Sequence, residues 1–215
     1  MAARNFGKTQ GGRFRRGGSR PQYKRVLIVT EGQITEPEYF DYVRSTLGHA
    51  LKLVCKPVGR DPLAVVQRAA QLRDAESRRS SDPYDEVWAV VDVDTHANLP
   101  DARRLARKEG IELGVCNPCF EVWLLMHLQP VFAATSGKNV SAKWQKLSNS
   151  PLKHVNVQAL AGKFETAQSN ALDNRNQRMR QQLDENDNPS TNLDLLVGML
   201  LRSARQSAAN PELKL

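Results

Sequence analysis

The chain has 215 residues, 40% of them hydrophobic and 25% charged, with a formal net charge of +8. That size and apolar content suit one sizeable core with helical additions better than two independent domains, and no apolar run reaches the length of a membrane span or the pattern of a secretory signal. Three sparse cysteines, Cys55, Cys116 and Cys119, argue against a disulfide framework and place the expected setting in the reducing cytoplasm.

The charge excess is local. Residues 1–25 hold eight of the 31 basic residues and no acid, so the other 23 basic residues are matched by 23 acidic ones. A Gly-rich arm over residues 1–22 cannot pack a core, and the composition predicts disorder when it is free. Arg13, Arg15, Arg16 and Arg20, followed by Lys24, are candidate phosphate contacts, and the interleaved Phe6, Phe14 and Tyr23 can stack on bases. A purely solubilising tail is the plain alternative.

Beyond the arm, Arg25 to Val29 reads as a strand, since a short β-branched run apolar on both faces fits a buried parallel strand. Thr35 to Glu38 carries a capping-box signature, with Pro37 in the first turn of a helix through Tyr39 and Val43. A second strand is expected over Leu51 to Val58. Asp61 and Pro62 then open a helix to about Arg79, and a loop follows at Ser80 to Pro83. The third strand is Val87 to Val91, followed by a helix from about Leu99 to Lys108 and a turn at Gly110. Ile111 to Val115 would be the fourth strand and Phe120 to Leu128 the next helix. This alternation predicts an α/β domain over 23–130, a mostly parallel sheet with helices on both faces. Residues 131–215 change character. Strand signal is weak up to Val155, and helices are expected from Val157 to Leu183 and Thr191 to Ala204, as an extension packed on the same domain.

The chemistry sits at strand ends. Glu31 closes VLIVTEG (Val26 to Gly32), while Asp92 and Asp94 close VWAVVDVD (Val87 to Asp94). Carboxylates just past the carboxyl ends of parallel strands reach the crevice where open α/β sheets bind ligands. Three such charges repel one another unless a divalent cation with oxygen ligands, Mg²⁺ or Mn²⁺, joins them. Gly32 lets backbone or phosphate approach closely. Glu36 can be a further metal ligand or a first-turn acid satisfied by the helix dipole. Glu121, in the first turn of a later helix, carries the same two readings. His96 is a candidate proton relay beside the commoner exposed loop histidine. Asn117 can cap a helix or orient a water, and His127 can be buried or can reach the site. Cys116 and Cys119 match C-x-x-C at a helix start, but a redox reading leaves the acids unexplained, and no second ligand pair supports zinc.

The EG after a first strand and the DxD after a later one resemble the Toprim domain of topoisomerases, primases and OLD-family nucleases. The longer motifs VLIVTEGQITEPEYF, VVDVDTH, NPCFEVWLLMH and NPSTNLDLLVGML resemble the RloB family of small Toprim-like proteins of bacterial restriction and anti-phage loci. The resemblance implies a Toprim-like sheet, with Glu31, Asp92 and Asp94 as the Toprim acids and Glu36, Asn117 and Glu121 as secondary site residues. It also implies a partner ATPase of the AAA/ABC type. The stretch from Lys138 to Lys153 departs from the family, with Trp144 and scattered lysines where a tyrosine–lysine pair is expected, and Lys153 is the candidate basic residue left there. The combined expectation is a Mg²⁺-dependent nuclease acting on RNA, such as tRNA, or on DNA. A non-catalytic nucleic-acid-binding or regulatory subunit is the alternative. Oligomeric state is left open, a homo-oligomer included.

Overall fold

β1 (Arg25–Thr30) is buried from Val26 onward because its apolar run meets helices on both faces. The computed structural model describes residues 23–48, 51–93, 98–183 and 187–208. In chain order β1 is followed by α1 (Thr35–Leu47), β2 (Lys52–Pro57), α2 (Pro62–Arg79), β3 (Glu86–Asp92), α3 (Leu99–Glu109) and β4 (Glu112–Asn117). Then come α4 (Glu121–Met126), α5 (Gly137–Ser148), α6 (Val157–Leu160), α7 (Phe164–Arg180), β5 (Ser190–Thr191) and α8 (Leu193–Ala208).

Among the described residues the strands form one sheet of order β2-β1-β3-β4-β5, parallel except for the antiparallel β5. The expected α/β architecture, a mostly parallel sheet between helical layers, is therefore the one observed. Alternating side chains divide the sheet between two cores, as the period of two along a strand requires. Val26, Ile28, Trp88 and Val90 pack with α1, α4, α5, α7 and α8. Leu27, Val29, Ala89 and Val91 pack with α2 and α3 on the other face. The helices after β4 thus share a core with α1. No described helix is long and apolar enough to cross a membrane.

The chain leaves β1 through α1 toward β2, and leaves the neighbouring β3 through α3 toward β4 on the opposite face. Those divergent exits make the carboxyl ends of β1 and β3 a topological switch point, where a crevice opens.

Three local expectations are corrected. The capping box at α1 is not formed: Ile34 is the cap residue with no side-chain bond, and Thr35 and Glu38 turn instead to residues 153–155. The helix expected over 157–183 is split into α6 and α7, because Ala161 is extended and Gly162 takes φ of +72°. The helix expected from Thr191 begins two residues later, since Ser190 and Thr191 pair with Asn117 and Cys116 as β5. Asn192 continues that edge with its side chain, accepting from Val115 N–H at 2.7 Å and donating to Leu113 C=O at 2.9 Å. It thereby satisfies strand groups that a longer β5 would otherwise cover. Arg175 holds Asp194 with two bonds of 2.7 Å, fastening α7 to the start of α8.

Candidate active site

The carboxyl ends of β1 and β3 open into a cleft of about 620 Å³, lined by Glu31, Gly32, Glu36, Asp92, Glu121 and Lys153 among others. Each element delivers its residue for a local reason. Glu31 N–H bonds to Val90 C=O at 3.0 Å, which carries the parallel ladder one residue past β1. Its side chain then reaches the neighbouring strand, where Oε2 accepts from Asp92 N–H at 3.2 Å. Two acids 61 positions apart in sequence are held together by ladder geometry.

Glu36 lies in the first turn of α1 and is only 5% exposed. Its Oε1 accepts from Gly32 N–H at 2.8 Å. Gly32 has to be glycine for this contact, because an added Cβ would fall 1.9 Å from Glu36 Oε2. Burial, with the negative charges of Glu121 and Glu31 adding to it, raises the Glu36 carboxyl from 4.5 to about 7. Glu36 is therefore the acid of this cleft whose proton is poised near neutrality.

Lys153 comes from the loop between α5 and α6. α5 forms there because Ser136 caps it, accepting from Asn139 N–H, while Val140 and Trp144 bury one face. The following loop is stitched onto α1: Thr35 Oγ1 donates to Lys153 C=O at 2.8 Å, and Glu38 contacts His154 Nδ1 at 2.6 Å and accepts from Val155 N–H at 2.8 Å. Lys153 itself adopts φ of +61° and lines the acidic cleft.

Arg60 and Asp61, in the loop after β2, also line the cleft and were not singled out as site residues from sequence. Asp61 does open α2 as expected, accepting from Leu63 and Ala64 N–H at 3.1 and 3.2 Å. The missed signal is that Asp61, like Glu31 and Asp92, follows the carboxyl end of a parallel strand.

Other sequence candidates fall elsewhere. His127 does not reach the cleft. It is 3% exposed, its Nδ1 sits 3.0 Å from Trp123 C=O, and its ring packs against Tyr39 and Trp123. Burial lowers its pKa from 6.5 to about 4, so it is a neutral core histidine. Asn117 ends β4 and does not cap α4, whose cap residue is Phe120. Cys116 and Cys119 are buried free thiols, Cys116 Sγ lying 3.3 Å from Thr191 Oγ1. Burial pushes both thiols up rather than down, opposite to what a reactive C-x-x-C pair needs. Lys24 sits at the amino ends of the strands, paired with Glu86 at 2.5 Å. Asp94, His96, Arg13, Arg15, Arg16 and Arg20 lie outside the described residues.

The donor chemistry suits a hard cation, since Glu31, Glu36, Asp92 and Glu121 offer only oxygen ligands. Burial is the main cause of the elevated Glu36 carboxyl, and the smaller contribution from the negative charges of Glu121 and Glu31 is the part a cation would relieve. Among the described residues no three His, Cys, Asp or Glu side chains are already gathered for an ion. Glu31 and Glu36 instead spend one oxygen each on backbone N–H groups.

No curated protein matches the chain. The family model described as RloB-like protein matches residues 26–200, from the first buried residue of β1 to Leu200 of α8. A match over that span includes all five strands except Arg25 at the start of β1, and every described acid of the cleft, and the chain belongs to the RloB-like protein family.

Proposed function

We propose that the chain is a nuclease that hydrolyses phosphodiester bonds in nucleic acid with Mg²⁺ or Mn²⁺ as cofactor, acting in anti-phage defence beside an AAA/ABC-type ATPase. The observation that carries this reading is the hydrogen bond of Glu31 to Asp92 at the switch point, with Glu36 and Glu121 lining the same cleft. Glu31, Asp92 and Asp94 would hold the ion, which when bound supplies charge neutralisation at the phosphate and a more acidic water.

The chain's own groups divide the remaining work. Glu36, with a pKa of about 7, is suited to take a proton from the attacking water as general base. Gly32 N–H occupies Oε1, which leaves Oε2 to accept that proton. Lys153 and Arg60 at the cleft wall bring positive charge to a phosphate that the five acids of the lining alone would repel. Glu121, beside Glu36, keeps the base from ionising too readily and is an alternative ion ligand.

The test is incubation of purified protein with RNA and DNA strands in Mg²⁺, in Mn²⁺ and in chelator. Metal-dependent cutting that disappears in a folded Asp92→Ala variant is expected, and cutting retained in that variant contradicts the assignment. A second reading, a regulatory or nucleic-acid-binding subunit, is favoured by one observation: Glu31 and Glu36 already serve as acceptors for backbone N–H groups. It prevails if the chain binds nucleic acid but cuts none, either alone or with its ATPase.

A further inference from the structure

We infer that a groove along α2, lined by Arg60, Ala64, Gln67, Arg68 and Gln71, carries the sugar–phosphate backbone of a nucleic-acid strand leading away from the acidic cleft. This rests on the phosphodiesterase reading and extends it to the track of the substrate. The groove is a separate depression of about 330 Å³, and Arg60 lines both it and the cleft. Arg60 is thus the residue the two spaces share.

Ala64, Gln67, Arg68 and Gln71 are spaced by three, one and three positions, which places them in a single stripe on α2, and Arg60 stands before that stripe in the loop after β2. Ala64 leaves the floor low. Arg60 and Arg68 supply charge, and Gln67 and Gln71 supply neutral amide donors that suit phosphate oxygens. No acid lines the groove, in a chain that from residue 26 onward has as many acids as bases.

Pairing along α2 follows the same division. Toward its carboxyl end Arg73 bonds Asp74 and Glu109, and Arg79 bonds Glu76. Among the described residues Arg60 and Arg68 have no carboxylate partner, and neither has Lys56 at the end of β2, beside the groove residue Pro57. Arg68 is oriented by donating to Gln71 Oε1 at 3.3 Å. Among the described residues Arg78 in the last turn of α2 also has no carboxylate partner, so what sets the groove apart is that its two arginines stand with no acid in the lining.

Backbone contacts fix the groove to the acids. Val58 N–H donates to Thr30 C=O at 2.9 Å, and Gly59 N–H donates to Glu31 C=O at 2.8 Å. Gly59 takes φ of +66°, and an added Cβ would lie 2.1 Å from Gln33 Nε2. Arg60 therefore leaves a turn held to the same residue that reaches Asp92. A strand whose reacting phosphate enters the cleft meets Arg60 next and then Arg68. Each phosphate so neutralised releases counterions, which gives affinity that falls with salt.

The test is a fluorescence anisotropy titration of the full chain with a labelled single-stranded oligonucleotide of about fifteen residues, in chelator so that nothing is cut. Arg68→Glu is compared with Arg107→Glu, an equal charge change at the far end of α3. Arg68→Glu is expected to weaken binding roughly tenfold and to reduce the salt slope by about one, with Arg107→Glu close to wild type. Equal affinities and slopes for the two variants overturn the groove, whatever the cleavage assay shows. Arg68-dependent binding without cutting under any metal instead counts against the hydrolase and leaves the groove in place.

Discussion

Glu31 Oε2 accepts a hydrogen bond from the backbone N–H of Asp92 at 3.2 Å, so the acid after β1 is positioned by the strand that carries the acid at the end of β3. This bond separates two roles of one carboxylate. Glu31→Gln keeps an oxygen to accept from Asp92 and removes the charge, and it is expected to lower cleavage by ~10²–10³-fold with an unchanged melting temperature. Glu31→Ala also leaves the N–H without its partner and is expected to cost about 1 kcal/mol of stability. Cleavage by the Gln variant at the wild-type rate would show that the charge is not used.

Glu36 gives the metal-free protein a pH dependence of definite sign. The folded chain holds this proton to about pH 7, whereas the reference value is 4.5. Between those values the folded state binds more protons than the unfolded one, so stability falls as pH rises through the window. The full cost, roughly 3 kcal/mol, is reached above it. Glu36→Gln still accepts from Gly32 and is expected to gain on wild type progressively across that range in thermal melts. Parallel curves for the two proteins would contradict the assignment.

His127 has the opposite sign. Its pKa falls from 6.5 to about 4 on burial, so the unfolded chain takes up a proton that the folded chain refuses. Stability is lost as pH drops through that interval, by up to roughly 3 kcal/mol. His127→Phe is expected to flatten this acid limb and to leave cleavage unchanged, because the side chain faces Tyr39 and Trp123 and not the cleft. A large loss of cleavage at an unchanged melting temperature would return His127 to the site.

Lys153 reaches the cleft by a loop tied to α1 through Thr35. Lys153→Met is expected to reduce cleavage by ~10-fold or more, with a weaker dependence of binding on salt and the same circular dichroism spectrum. Thr35→Val, which removes the hydroxyl that holds the Lys153 carbonyl, is expected to give part of that loss. Full activity in the Met variant would assign phosphate neutralisation to Arg60 alone.

Deletion of residues 1–22 removes six positive charges and is expected to weaken nucleic-acid binding and flatten its salt dependence. An unchanged slope in titrations from low to high salt would show that Arg13, Arg15, Arg16 and Arg20 are not phosphate contacts.

Most of the cleft was legible in the sequence because parallel strands buried on both faces exclude charge. An acid that ends such a run, as Glu31 and Asp92 do, marks the open edge of the sheet. Glu36 and Glu121 could be placed but not assigned, since burial and neighbouring charge decide their chemistry, and both are tertiary properties. Asp61 was read only through its capping bond, which the structure does contain, and its second position in the cleft depends on where β2 lies beside β1. The Thr35 and Glu38 capping signature misled because both side chains had better partners 115 or more residues away. β5 was invisible because two residues carry no periodicity, and its pairing with Cys116 and Asn117 exists only once β4 is in place.

The central claim is that Glu31 and Asp92 bind one divalent cation together. Its most direct measurement is anomalous diffraction from crystals soaked in Mn²⁺, repeated with Asp92→Asn. The account predicts an ion touching both carboxylates in the wild-type cleft and none in the variant. An ion bound elsewhere, or one that persists at the same place without the Asp92 charge, would contradict it.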